Sequence, residues 1–154
     1  MDYFAYGSNL DPAQMAERCP SATFLGRAVL EGHALAFTRW STRRRCGVAD
    51  VVPSPGDRVW GVVYTLSEAD GLRLDGFEGY APGRAGNWYA RVERTVAIDG
   101  DPCRPLAVAT YEVVDRAPEP FTPSREYLGH LLRGAEHWRL PDAYLARLRS
   151  IAAG

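Results

Sequence analysis

The hydrophobic positions of the chain change period along its length, and each change marks a new kind of element. Tyr3-Phe4-Ala5-Tyr6 has the aromatic density of a short buried strand, and Gly7-Ser8-Asn9 ends it at once. Asp11-Pro12 then starts a helix expected over 12–18: aspartate caps the free N–H groups, and proline takes the first helical position, where no donor is needed. From 22 to 66 the pattern is extended. Runs at 22–30, 33–40, 47–52 and 58–66 are separated by Glu31-Gly32, by Arg43-Arg44-Arg45 and by Ser54-Pro55-Gly56-Asp57. Proline presets one turn dihedral and glycine admits a positive one, so the last tetrapeptide predicts a reversal that sets Val51-Val52 beside residues 59–64.

Ser67, with Asp70 three residues on, predicts a capped short helix through Leu72 and Leu74 toward Gly76 or Gly79, and the glycine-rich stretch 79–87 predicts a loop. Residues 88–98 alternate, with Ala90, Val92, Val96 and Ile98 on one face, and Asp99-Gly100-Asp101-Pro102 turns them into a second strand at 105–114. The C-terminal segment returns to helical spacing. Thr122-Pro123 opens a helix bearing Tyr127, Leu128, Leu131, Leu132 and Ala135, and Pro141 opens another bearing Tyr144, Leu145, Leu148, Ile151 and Ala152. The order predicts a single α+β domain over 1–154, with a curled sheet or small barrel and flanking helices.

Composition narrows the chemistry. The chain has 154 residues, 46% of them hydrophobic, enough for one core. All 18 basic residues are arginine, so Schiff-base, pyridoxal and P-loop chemistries, which need a lysine amine, are excluded. A formal charge of -1 gives no global field for nucleic acid or anionic lipid, and neither is expected as a partner. Cys19, Cys46 and Cys103 are odd in number and far apart, suggesting neither a disulfide framework nor a zinc ribbon. With no leader pattern at the start and no apolar run long enough for a bilayer, the expected location is the cytoplasm.

Four features carry candidate chemistry. His33, His130 and His137 form no metal-binding motif, and the last two, seven residues apart, are expected as exposed positions on one helix face. Arg43-Arg44-Arg45 reads as a solvated loop, with two other uses open: greeting an anionic substrate at a pocket mouth, or a small RNA-binding surface. The turn Tyr6-Gly7-Ser8-Asn9, between a strand and a helix start, presents free N–H groups of the kind that hold a carboxylate or oxyanion. Glu78 stands at a predicted helix end among apolar neighbours. It reads either as an exposed helix-end residue or as a general acid/base whose pKa is raised by burial.

Taken together, four blocks resemble the γ-glutamylcyclotransferase family, in order and over nearly the whole chain. They are Tyr3-Phe4-Ala5-Tyr6-Gly7-Ser8-Asn9-Leu10; Ser54-Pro55-Gly56-Asp57 with Val59-Trp60-Gly61-Val62-Val63-Tyr64; Leu74-Asp75 with Glu78-Gly79; and Tyr127 with Gly134-Ala135-Glu136 and Leu140-Pro141 before Tyr144. The resemblance implies a small mixed β-barrel with flanking helices and conversion of a γ-glutamyl compound to 5-oxoproline plus a released amine or amino acid, with no metal or cofactor. It makes Glu78 the catalytic acid/base and places substrate binding on Tyr3, Phe4, Ala5, Tyr6, Gly7, Ser8 and Asn9. Tyr127 matches a pocket tyrosine, and Tyr89 and Tyr111 do so less directly.

Asn9 after Gly-Ser argues against the glutathione-specific branch. The partner implied is a small γ-glutamyl molecule; a homodimer and a non-catalytic binding module on the same fold stay open. The loop 79–87 is expected to cover the site, and Arg84 and Arg91, nearest to Glu78 in sequence, are the expected source of positive charge.

Overall fold

The computed structural model describes residues 1–154. Its elements are β1 (Asp2–Ala5), a 3-10 turn (Ser8–Leu10), α1 (Pro12–Arg18), β2 (Thr23–Ser41), β3 (Cys46–Thr65) and α2 (Glu68–Phe77). β4 (Tyr89–Ile98), β5 (Pro105–Val113), α3 (Arg125–His137) and α4 (Asp142–Arg149) follow. The five strands close into a barrel in the order β1-β3-β2-β4-β5. All neighbours are antiparallel except β1 and β5, which pair in parallel at Tyr3 and Ala109 and make the barrel mixed. Phe4, Val29, Val51, Val59, Val62, Val63 and Leu74 are fully buried in its core.

The strongest turn signal of the sequence does not reverse the chain. Glu31 pairs with Arg58 and His33 with Pro53, so Ser54-Pro55-Gly56-Asp57 is a four-residue bulge opposite Gly32 within one continuous β3. Its turn chemistry is intact: Ser54 Oγ donates to Asp57 Oδ2 at 2.5 Å, and Gly56 has φ 87. Val51-Val52 and residues 59–64 therefore lie end to end, each pairing with β2 rather than with the other. The reversal falls instead at the arginine stretch, where Arg44 N–H donates to Ser41 Oγ and Arg45 takes φ 57.

The helix expected from Thr122-Pro123 begins later. Ser124 is the cap, its Oγ accepting from Tyr127 N–H at 3.1 Å, while the carbonyls of Thr122 and Pro123 bind the N–H groups of Gly47 and Gly154. Ile151 and Ala152 fall beyond the end of α4. Helix α3 packs on the 3-10 turn so closely that a Cβ on Gly134 would stand 2.2 Å from the Leu10 carbonyl group. Trp138, just past α3, donates from its indole to the Leu10 carbonyl at 3.0 Å.

Candidate active site

Strand β1 delivers Tyr3 to the site and the turn after it delivers Gly7, Ser8 and Asn9. With Tyr6, Glu78, Tyr89 and Tyr127 these line one cavity of about 100 Å³. Phe4 and Ala5, expected in the binding set, do not line it. Strand alternation turns Phe4 to the opposite face, and both side chains are fully buried in the core, with the Ala5 carbonyl closely covered by Gly61. Tyr111 does line the cavity.

Glu78 is held at the end of α2, where its N–H donates to the Leu74 carbonyl at 2.9 Å. The next residue must be glycine. Gly79 has φ 62, and a Cβ there would stand 2.3 Å from the Trp88 ring. The Glu78 side chain is only 16% exposed. Burial pushes its pKa above the usual glutamate value, and the charges of Arg18, Arg44 and Arg39 and a hydrogen bond from Asn9 hold back the rise.

Asn9 is the hub of the site. Its Nδ2 donates to Glu78 Oε1 at 3.2 Å and to the Tyr3 hydroxyl at 3.0 Å; its Oδ1 accepts from Gln14 at 2.9 Å and from Arg18 at 3.2 Å. These bonds use all of its ordinary capacity, and flipping the amide would set its oxygen against the carboxylate. Gln14 Nε2 also donates to Ser8 Oγ at 2.8 Å, and its Oε1 accepts from Arg44 at 2.9 Å. Helix α1 is anchored in turn by its cap. Asp11 Oδ2 lies 2.7 Å from His130 Nδ1 and 3.2 Å from an Arg133 nitrogen. His130 is thus a partly buried partner of the cap, not the exposed position expected of it.

On the opposite wall, the Tyr127 hydroxyl accepts from Ala49 N–H at 3.0 Å, and the Tyr89 hydroxyl donates to the Ala49 carbonyl at 2.7 Å. Burial raises the Tyr127 pKa to about 12, so the hydroxyl stays protonated near neutrality. Gly7 leaves room for this wall, since a Cβ there would stand 3.3 Å from the Ala49 methyl. Leu10 and Asp11 turn their N–H groups back onto the carbonyls of Gly7 and Ser8, whereas the N–H groups of Gly7, Ser8 and Asn9 donate to nothing in the protein. Three unspent donors on one turn are available to an anionic oxygen.

The positive charge comes from elsewhere than expected. Arg91 is bound to Asp75 at 2.8 Å, and Arg84 to the Gly79 carbonyl and to Asn87, each at 2.9 Å; neither lines the cavity. The arginines that do are Arg18, Arg39, Arg43 and Arg44. Arg44 thus belongs to the pocket-mouth use of the arginine run, its guanidinium 5.1 Å from the Tyr127 ring centre. One sequence signal could have found Arg18: it follows Gln14 by four residues, on the same face of the helix that leaves Asn9. The loop expected to cover the site is instead folded on itself through Asn87 and Arg84, and only Trp88, at its end, reaches the cavity.

A closed barrel holding a desolvated carboxylate among tyrosines and unspent backbone donors is equipped for acid–base chemistry on a small molecule. Comparison with known proteins gives that class a family. The model of the family described as gamma-glutamyl cyclotransferase, AIG2-like, matches residues 3–139, and the chain belongs to it. It is 35% identical to gamma-glutamylcyclotransferase of Bos taurus over 156 aligned positions, covering 97% of this chain and 77% of that one. Similarity to the Homo sapiens protein of the same name is the same, 35% over 97% and 77% of the two chains. A solved gamma-glutamyl cyclotransferase superposes with a TM-score of 0.89 at 31% identity, covering 100% of this chain and 89% of that chain. The chain is an enzyme of the γ-glutamylcyclotransferase type, with the mixed barrel and flanking helices expected of that fold. None of its helices is long and apolar enough to cross a membrane.

Proposed function

We propose that this cavity binds a γ-glutamyl compound and closes its glutamyl arm into 5-oxoproline, with Glu78 as the acid/base. The nucleophile is already tethered: the substrate's α-amine attacks its own γ-carbonyl carbon, and well-oriented intramolecular attack is worth roughly 7–11 kcal/mol. The enzyme has three tasks left. The N–H groups of Gly7, Ser8 and Asn9 hold the α-carboxylate, which fixes the glutamyl arm with its amine toward Glu78. The α-ammonium first gives up one proton to solvent, and ionised Glu78 takes a second from the resulting amine as the new N–C bond forms. It then returns that proton to the departing nitrogen as the γ-amide C–N bond breaks, so Glu78 ends as it began.

The observation that carries this reading is the Glu78 carboxylate itself, desolvated yet kept oriented by Asn9 Nδ2 at 3.2 Å. A buried carboxylate with a raised pKa is a stronger base than one in water, and its conjugate acid still forms readily. Tyr3, bonded to the same Asn9 amide, and Tyr127, hydroxyl fixed on Ala49, line the glutamyl arm.

The test is Glu78→Gln. The amide keeps the volume and an acceptor for Asn9 and removes the base, so release of 5-oxoproline from γ-glutamyl substrates should fall by about 10²–10⁴-fold in kcat. Folding should be preserved, since a buried charge is lost. Unchanged turnover by a folded variant would overturn the assignment.

A further inference from the structure

Four arginines line the cavity against one carboxylate, Glu78. A glutamyl head brings one carboxylate and one ammonium and is neutral as a pair, so it does not use up this excess. Two of the arginines are spent on the protein itself: Arg18 on Asn9 and Glu78, and Arg44 on Gln14. Arg43 is exposed.

Arg39 is different. It is half-buried, and its guanidinium makes no hydrogen bond or ion pair with any residue. What holds it are aromatic rings: its guanidinium carbon lies 4.6 Å from the centre of the Trp88 ring and 5.9 Å from that of Tyr89. These cation–π contacts hold the charge in place but satisfy none of its N–H groups, the fork that matches a carboxylate. A partly desolvated donor set left unmatched in the free enzyme is suited to a ligand that supplies the acceptor.

Trp88 makes this arrangement firm. Its N–H donates to the Gly79 carbonyl at 3.0 Å, its carbonyl accepts from Val114 at 3.1 Å, and its ring rests on Gly79, next to Glu78. Trp88 is nevertheless half exposed at the cavity, and so is Phe77, the last residue of α2 before Glu78. The cavity wall therefore joins an unmatched cation to exposed aromatic surface, the complements of an amino acid's carboxylate and apolar side chain.

We infer that Arg39 and Trp88 form a leaving-group clamp: Arg39 holds a carboxylate on the departing amine and Trp88 carries its apolar side chain, so that γ-glutamyl amino acids are preferred over γ-glutamyl amines without a carboxylate. This rests on the cyclisation reading above and adds the specificity of its other half.

The experiment compares γ-glutamylphenylalanine with γ-glutamylphenethylamine, which differ only in that carboxylate, by release of 5-oxoproline. The wild type should favour the acid by about tenfold or more in kcat/KM, the range of a charge-assisted hydrogen bond. Arg39→Met, which keeps the stacking stem, should collapse that ratio to about one, chiefly through KM for the acid, and Arg39→Lys should restore part of it. Thermal melting of both variants checks that the fold is kept.

Equal turnover of the two compounds by the wild type, or an unchanged ratio in Arg39→Met, overturns the clamp. If neither compound yields 5-oxoproline, the cyclisation reading fails, and calorimetric binding of the same compounds judges the clamp alone. Tighter binding of the acid that is lost in Arg39→Met upholds it, and equal binding overturns it.

Discussion

Asn9 shows how much one side chain can organise. Four hydrogen bonds connect it to Tyr3, Gln14, Arg18 and Glu78, so the catalytic carboxylate proposed here is positioned from the turn that precedes α1 rather than from its own helix. The charge state of Glu78 follows from the same neighbourhood. Burial raises its pKa and Arg18, with a nitrogen 3.9 Å from the carboxylate, opposes the rise. A base works ionised, so kcat/KM should climb with pH through that raised pKa, with its acid limb above the ordinary carboxylate range. Arg18→Met removes a charge that favours the ionised form, so the limb should move further toward high pH; a pH–rate profile moving the other way would contradict the assignment.

Glu78 and the turn 6–9 were legible in the sequence because each joins an unusual residue type to an element boundary. Of the cavity arginines, Arg43 and Arg44 were legible only as one open use of the arginine run, and Arg18 and Arg39 were not. Arg39 and Arg44 line the cavity of Glu78 only because a long hairpin carries them there, and distance along the chain from Glu78 favoured Arg84 and Arg91, which the structure commits elsewhere.

That hairpin is also where the reading of elements succeeded and failed. Alternation identified all the extended segments between 22 and 66, yet four expected strands are two, β2 and β3, each running through a bulge. Turn chemistry is local, whereas continuity of a strand depends on whether a partner stays in register on both sides of the irregularity. Here Gly32, at φ 72, bends with the bulge and pairing resumes beyond it. Helix capping was legible at Asp11 and Ser67, whose side chains accept from Ala13 and Asp70 as expected, but Ser124 took the role foreseen for Thr122.

The packing of α3 on the 3-10 turn makes a sharper claim about elements. Because a methyl at 134 would collide with backbone rather than with a movable side chain, Gly134→Ala should cost about 1–3 kcal/mol despite alanine's better helix propensity. It should also raise KM, since Leu10 adjoins the donors at Ser8 and Asn9. Chemical denaturation and steady-state kinetics measure the two effects.

At the scale of the molecule, the barrel closes through two short seams, β2 with β4 at two positions and β1 with β5 at one. β1 pairs with β3 at four positions and with β5 at one, Tyr3 with Ala109, and beside that pair Thr110 Oγ1 donates to the Phe4 carbonyl at 2.9 Å. Thr110→Val keeps the shape and removes the donor from a fully buried site, so it should cost about 1–3 kcal/mol, measured as a fall in the denaturation midpoint.

The β1–β5 seam also has a consequence in time. Of the barrel's strands the ribosome makes β1 first, but its last neighbour, β5, comes only after β2, β3, α2 and β4 have been made. The antiparallel hairpins can form from neighbours in sequence as they emerge, while closure must bring Tyr3 to Ala109 across most of the chain, the kind of contact that slows folding. The turn that carries Gly7, Ser8 and Asn9 hangs from β1, so the nascent protein acquires the cradle proposed for its substrate late, after most of its hydrogen-bonded framework exists.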